Sequence, residues 1–82
     1  MFESPALAVD QVLDCKELAC PLPVLKTARA IKELAPGQVL ELLATDPGVE
    51  PDMQAWTSRT GNELLGIANQ DGVFHVLIRR AR

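Results

Sequence analysis

The chain has no tyrosine, one tryptophan and two phenylalanines. So few ring faces speak against single-strand nucleic-acid binding, which relies on base stacking. Basic residues are also in the minority. Eight Lys and Arg stand against eleven Asp and Glu, for a net charge of −3, and an acidic protein is repelled by a phosphate backbone. No direct nucleic-acid contact is therefore expected. No apolar run approaches the roughly 20 residues of a membrane span, so no membrane partner is expected either. The segment Met1-Phe2-Glu3-Ser4-Pro5 carries neither a basic n-region nor an apolar h-region. Secretory export is not expected, and a cytoplasmic address is. Two cysteines are too few for a disulfide-stapled scaffold, and a reducing compartment keeps them as thiols. Cys15, Cys20 and His75 are too few for a zinc centre, so no metal is expected. There is no phosphate-cradling glycine loop and no Ser-His-Asp arrangement.

What is present reads as one small domain. The 82 residues leave no room for a second domain, and 48% hydrophobic with 23% charged residues is the balance of a globular chain rather than a disordered one. Residues 1–8 read as a lead-in and 9–82 as the domain. Val9 to Asp14 alternates as a strand. A helix is predicted from Leu22 or Pro23 to Ala35. Val24, Ala28, Ile31 and Ala35 form its buried stripe, with Leu34 on the flank and Lys26, Arg29 and Glu33 opposite. Pro36-Gly37 stops it. Val39 to Ala44 reads as a central strand, Asp46-Pro47-Gly48 as a turn with Asp46 as a turn or cap residue, and Glu50 to Thr60 as a second helix with Val49, Met53 and Trp56 inward. Leu64–Ala68 and Val73–Arg79 read as strands joined by the four-residue connector Asn69-Gln70-Asp71-Gly72. The order β-α-β-α-β-β predicts an α/β two-layer sandwich: a mixed four-stranded sheet with both helices on one face.

The chemistry concentrates in Asp14-Cys15-Lys16-Glu17-Leu18-Ala19-Cys20-Pro21-Leu22-Pro23. Pro21 biases Cys20 toward extended backbone, and Pro23 suits the first helical turn. The two prolines are thus positioning residues that hold the Cys20 sulfur at a helix N-terminus. A thiolate is the nucleophilic form, and the positive end of a helix favours it. A dipole contribution of about 0.3–1 kcal/mol lifts the thiolate fraction at neutral pH from a few per cent to about 10–20%. Four of the eight basic residues, Lys16, Lys26, Arg29 and Lys32, lie between positions 16 and 32 with Glu17 as the single acid there. Lys16, Lys26 and Arg29 are candidates for docking an acidic partner.

Cys20-Pro21-Leu22-Pro23 matches the Cys-Pro-x-Pro motif of the TusA/SirA sulfur-carrier family. The chain resembles that family further at Val24-Leu25-Lys26, Pro36-Gly37, Ala44-Thr45-Asp46-Pro47-Gly48, Ala55-Trp56, Thr60-Gly61 and Leu77-Ile78-Arg79, over residues 12 to 80. It departs at Thr57, where many relatives have Cys, at Leu18-Ala19 in place of Gly-Leu, and at Asn62 in place of His. The resemblance implies that Cys20 is catalytic and carries sulfur as a covalent persulfide, with no other cofactor. It implies a sulfurtransferase that takes sulfur from a donor such as a cysteine desulfurase or a rhodanese. The sulfur then passes to an acceptor sulfurtransferase, toward tRNA thiolation, molybdenum cofactor or dissimilatory sulfur metabolism. A free monomer is expected. Cys15 is a candidate second thiol that attacks the Cys20 persulfide, against the alternative of an ordinary thiol at a strand end. A non-catalytic regulatory or RNA-binding domain, or a Cys15/Cys20 redox switch, are the competing readings.

Overall fold

The segment Val39–Ala44 is apolar at five of its six positions, the composition of a central strand rather than an edge one. In the computed structural model, which describes residues 9–81, it is β2 and it lies between two other strands. The remaining elements are β1 (Gln11–Cys15), α1 (Leu22–Ile31), α2 (Val49–Thr60), β3 (Glu63–Gln70) and β4 (Val73–Arg79). The sheet order is β1-β2-β4-β3, with β1 parallel to β2 and the other pairings antiparallel. The sheet is thus mixed and four-stranded, as expected. α1 packs on β1 and β2, α2 packs on β3 and β4, and the two helices touch each other. Both therefore cover the same face. The proposed lead-in, residues 1–8, lies outside the described residues.

Register explains the core. Leu40, Leu42 and Ala44 stand opposite Gln11, Leu13 and Cys15 on one side and Ile78, Val76 and Phe74 on the other. Alternation turns this row toward the helices, where Cys15, Leu40, Leu42, Val76 and Ile78 meet Met53, Trp56, Val49 and Ile31. Glu41, Leu43, His75 and Leu77 fall on the opposite face. There His75 Nδ1 lies 2.9 Å from Glu41 Oε2.

Several expected boundaries shift for identifiable reasons. β1 starts at Gln11, not Val9, because the chain is first tied to β2 through Asp10: its carboxylate accepts from the Val39 N–H at 2.8 Å. The strand runs on through Cys15. α1 ends at Ile31, not Ala35. Its last residues tighten into i→i+3 bonds, Glu33 N–H to Ala30 and Leu34 N–H to Ile31. The Arg80 guanidinium donates to the carbonyls of Lys32 and Leu34 there. The buried stripe of α1 is also rotated from the expected one. Pro23, Thr27, Ala30, Ile31 and Leu34 are buried, Val24 and Ala28 are only half-buried, and Ala35 is exposed. Thr27, polar in type, lies at the centre of the apolar face. β3 is longer than expected, Glu63–Gln70, with a bulge between Leu64 and Gly66. The β3–β4 connector is therefore two residues, not four. Asp71 (φ 54°) and Gly72 (φ 86°) both take positive φ, the geometry that matches strand twist in a tight hairpin.

Candidate functional site

Parallel pairing decides where the chemistry can gather. β1 and β2 run in the same direction, and Cys15 ends level with Ala44. Each strand is followed by a helix, so α1 and α2 begin at the same edge of the sheet. That edge, beyond the carboxyl ends of parallel strands, is where open α/β sheets form crevices. Here it brings the loop 16–20 against the segment 45–52.

Four hydrogen bonds pin the loop. The Lys16 N–H donates to Asp14 Oδ1 at 3.0 Å, and the Leu18 N–H to the Cys15 carbonyl at 3.1 Å. The Glu17 N–H reaches Thr45 Oγ1 at 2.8 Å, which holds Glu17 in the left-handed region at φ 68°. The Cys20 N–H donates to Asp46 Oδ2 at 2.9 Å. The side chain of Asp46 thus ties down the cysteine loop instead of capping α2. Its carbonyl makes the turn, accepting from the Val49 N–H at 3.0 Å. Pro21 follows Cys20 across a cis peptide and occupies the N-cap position of α1, where a proline ring offers no capping side chain. Pro23 is buried in the first turn, as its fixed φ and missing N–H allow.

The Cys20 thiol is exposed, and it donates to Asp52 Oδ2 at 2.7 Å. This contact reverses the expected electrostatics. The Asp52 carboxylate accepts the thiol proton and, with some desolvation and the charges of Asp52 and Asp46, pushes the Cys20 pKa up. The helix dipole alone would move it the other way, the direction expected from the sequence. The two carboxylates converge on Gly48: a Cβ built there would lie 3.3 Å from Asp46 Oδ2 and 3.8 Å from Asp52 Oδ2. Both acids sit by the N-terminus of α2, where the helix dipole favours negative charge.

Cys15 is not beside Cys20 on the surface. It is 0% exposed, inside the core cluster, and burial pushes its thiol pKa up while the charge of Lys26 opposes the shift. That burial favours the reading of Cys15 as an ordinary strand-end thiol over a second thiol open to sulfur carried by Cys20. Lys16 is exposed and lies 3.9 Å from Asp14. Lys26 and Arg29 are exposed on α1 and, with Leu13, Ala30 and Glu33, line a shallow depression of about 210 Å³ beside β1. Among the described residues no group of three His, Cys, Asp or Glu side chains could hold a metal, and no helix is long and apolar enough to cross a membrane.

Sequence reading missed Asp52. It lies 32 positions from Cys20, and its meeting with the thiol follows only from the parallel topology. It also missed the exposed apolar pair Leu22 and Leu25, 44% and 55% exposed, on α1 just after the cysteine. The stripe Val24, Ala28, Ile31 and Ala35 expected from spacing sits one position from the face that is buried, Pro23, Thr27, Ala30, Ile31 and Leu34.

The chain matches the family model described as Sulfurtransferase TusA over residues 11–80. It is 43% identical over 72 residues to the sulfur carrier protein TusA of Allochromatium vinosum, covering 88% of this chain and 95% of that one. It is 38% identical over 71 residues to the sulfur carrier protein TusA of Pseudomonas entomophila, covering 87% and 89%. A longer relative, YrkF of Bacillus subtilis, is 44% identical over 69 residues, and the match spans 37% of its length. In fold, the chain is similar to the crystal structure of a SirA-like protein from Desulfitobacterium hafniense. That likeness has a TM-score of 0.77 at 24% identity and covers 88% of this chain and 99% of that one. On the extent of the family match and the identity to full-length relatives, the chain belongs to the TusA sulfurtransferase family.

Proposed function

We propose that this protein is a sulfur carrier that accepts sulfane sulfur on Cys20 as a persulfide and delivers it to an acceptor protein. The observation that carries the reading is the exposed Cys20 thiol, tethered at the start of α1 while the other thiol is sealed in the core. Loading is a group transfer. Cys20 Sγ bonds to the outer sulfur of a donor persulfide, and the donor's S–S bond breaks. Its electron pair leaves on the donor's own sulfur, which ends as a thiol after the Cys20 proton is passed on. One sulfur changes host, with no net oxidation. Delivery is the same step with the carrier as donor.

Each neighbour has a part. Pro21 and Pro23 set the cysteine at the head of α1, and Asp46 holds its backbone. Lys16, Lys26 and Arg29, with Leu22 and Leu25, give a partner a surface of basic and apolar groups near the thiol. Donors of the desulfurase or rhodanese type, and acceptors that are themselves sulfurtransferases, fit this exchange in a reducing cytoplasm. The carried sulfur is cargo, and the chemistry calls for no other cofactor. A transfer assay tests the reading. Labelled sulfur from a rhodanese charged with thiosulfate passes to the chain and then to a small thiol. Cys20→Ser takes none. Label on the Cys20→Ser variant equal to the parent's would end the proposal.

A further inference from the structure

The carrier reading leaves the Asp52 carboxylate without a task, although it is the group that touches the reacting sulfur. It accepts the Cys20 thiol hydrogen at 2.7 Å, and Asp46 binds the same residue's backbone N–H at 2.9 Å. The two acids come from α2 and from the loop before it, and both flank Gly48. Among the described residues, the charges that act on the Cys20 thiol are those of these two acids, while the cation Lys26 acts on Cys15. A carrier gains nothing mechanically from holding its nucleophile in the unreactive form. A carrier that must refuse small electrophiles and oxidants does gain.

We propose that Asp52 is a specificity-determining residue for loading: it holds the proton on Cys20 in the free carrier and yields it only to a donor whose surface brings a cation or hydrogen-bond donor to the carboxylate. The proposal rests on the sulfur-carrier reading. A neutral thiol next to two carboxylates is a poor nucleophile, and anionic small persulfides are repelled from it. A protein donor with a basic group beside its own persulfide engages Asp52, removes its hold on the thiol proton and lets Cys20 Sγ attack. In that step the proton leaves Cys20 and ends on the donor's departing thiol sulfur, so charge and atoms balance. The partner implied is a persulfide-bearing protein with a basic loop.

The test uses the full chain, its Asp52→Asn and Asp52→Ser variants, and Glu50→Gln as a charge-matched control on the same helix turn. Alkylation of Cys20 by iodoacetamide is followed against pH by peptide mass. Loading is followed with glutathione persulfide and with a cysteine desulfurase. The expected result is a lower alkylation midpoint in both Asp52 variants and severalfold faster alkylation at pH 7, with Glu50→Gln at the parent values. Loading by glutathione persulfide rises in the Asp52 variants, so the preference for the protein donor falls. An unchanged midpoint, or an unchanged ratio between the two donors, overturns the proposal; the second Asp52 variant serves if the first does not fold. Should the parent load from neither donor, the carrier reading fails, while the alkylation profile still judges Asp52.

Discussion

Replacing Cys15 by Ser separates the two thiols most sharply. Cys15 is 0% exposed at the end of β1, level with Ala44 and within the core that joins both helices to the sheet. A serine hydroxyl there enters an apolar site, and a buried hydroxyl without a partner costs about 1–3 kcal/mol. A domain of this length has a total stability of about 4–12 kcal/mol, so the loss is a large fraction of it. With a urea slope near the small-protein lower limit of about 1 kcal/mol per molar, the unfolding midpoint falls by about 1–3 M. The same burial raises the folded-state pKa of Cys15 above its unfolded value. Its contribution to stability is therefore full below the unfolded pKa, about 8.5, and is lost as pH rises through the folded one. The parent's midpoint should decline above about pH 8.5, and Cys15→Ser should lose that part of the decline. Sulfur loading per folded molecule should be unchanged. Urea titrations read by tryptophan fluorescence, paired with loading measured below the midpoint, check both halves. Loss of loading with an unchanged midpoint would refute the reasoning, because it would give Cys15 chemistry that its burial denies.

Two further outcomes follow from particular contacts. The Thr27 hydroxyl is buried in the middle of α1's apolar face without a hydrogen-bond partner among the described residues. Thr27→Val should raise stability by about 1 kcal/mol, or about 4–8 °C in Tm, checked by thermal unfolding. Lys26→Glu with Arg29→Glu should slow loading by a protein donor, most at low salt, while leaving the unfolding free energy within about 0.5 kcal/mol of the parent's. Loading rates measured at two ionic strengths check this.

Local signals carried most of the fold. Pro36-Gly37, Asp46-Pro47-Gly48 and Asp71-Gly72 punctuate the chain at the true element ends or within a few residues of them, since turn conformations are set by the residues that make them. The alternation of strands and helices was enough to place both helices on one face. The errors arose where distant contacts decide. α1 is shortened by bonds in its last turn and held there by Arg80, far along the chain. Its inward face is centred on Thr27, a residue whose type says surface. The site divides the same way. Cys20 and its prolines were legible because they are adjacent, but the direction of the thiol's pKa was not, since it depends on Asp52 and Asp46 brought over from the next crossover. Asp46 was read from its neighbours as a turn residue, and the turn is real; the use of its carboxylate on another loop has no local signal.

The most direct measurement is the mass of the peptides bearing each cysteine after the folded chain meets a persulfide-charged desulfurase. The account predicts one added sulfur atom on the Cys20 peptide, removed by a thiol reductant, and none on the Cys15 peptide. Sulfur on Cys15, or no sulfur on Cys20 from any persulfide donor, would contradict it.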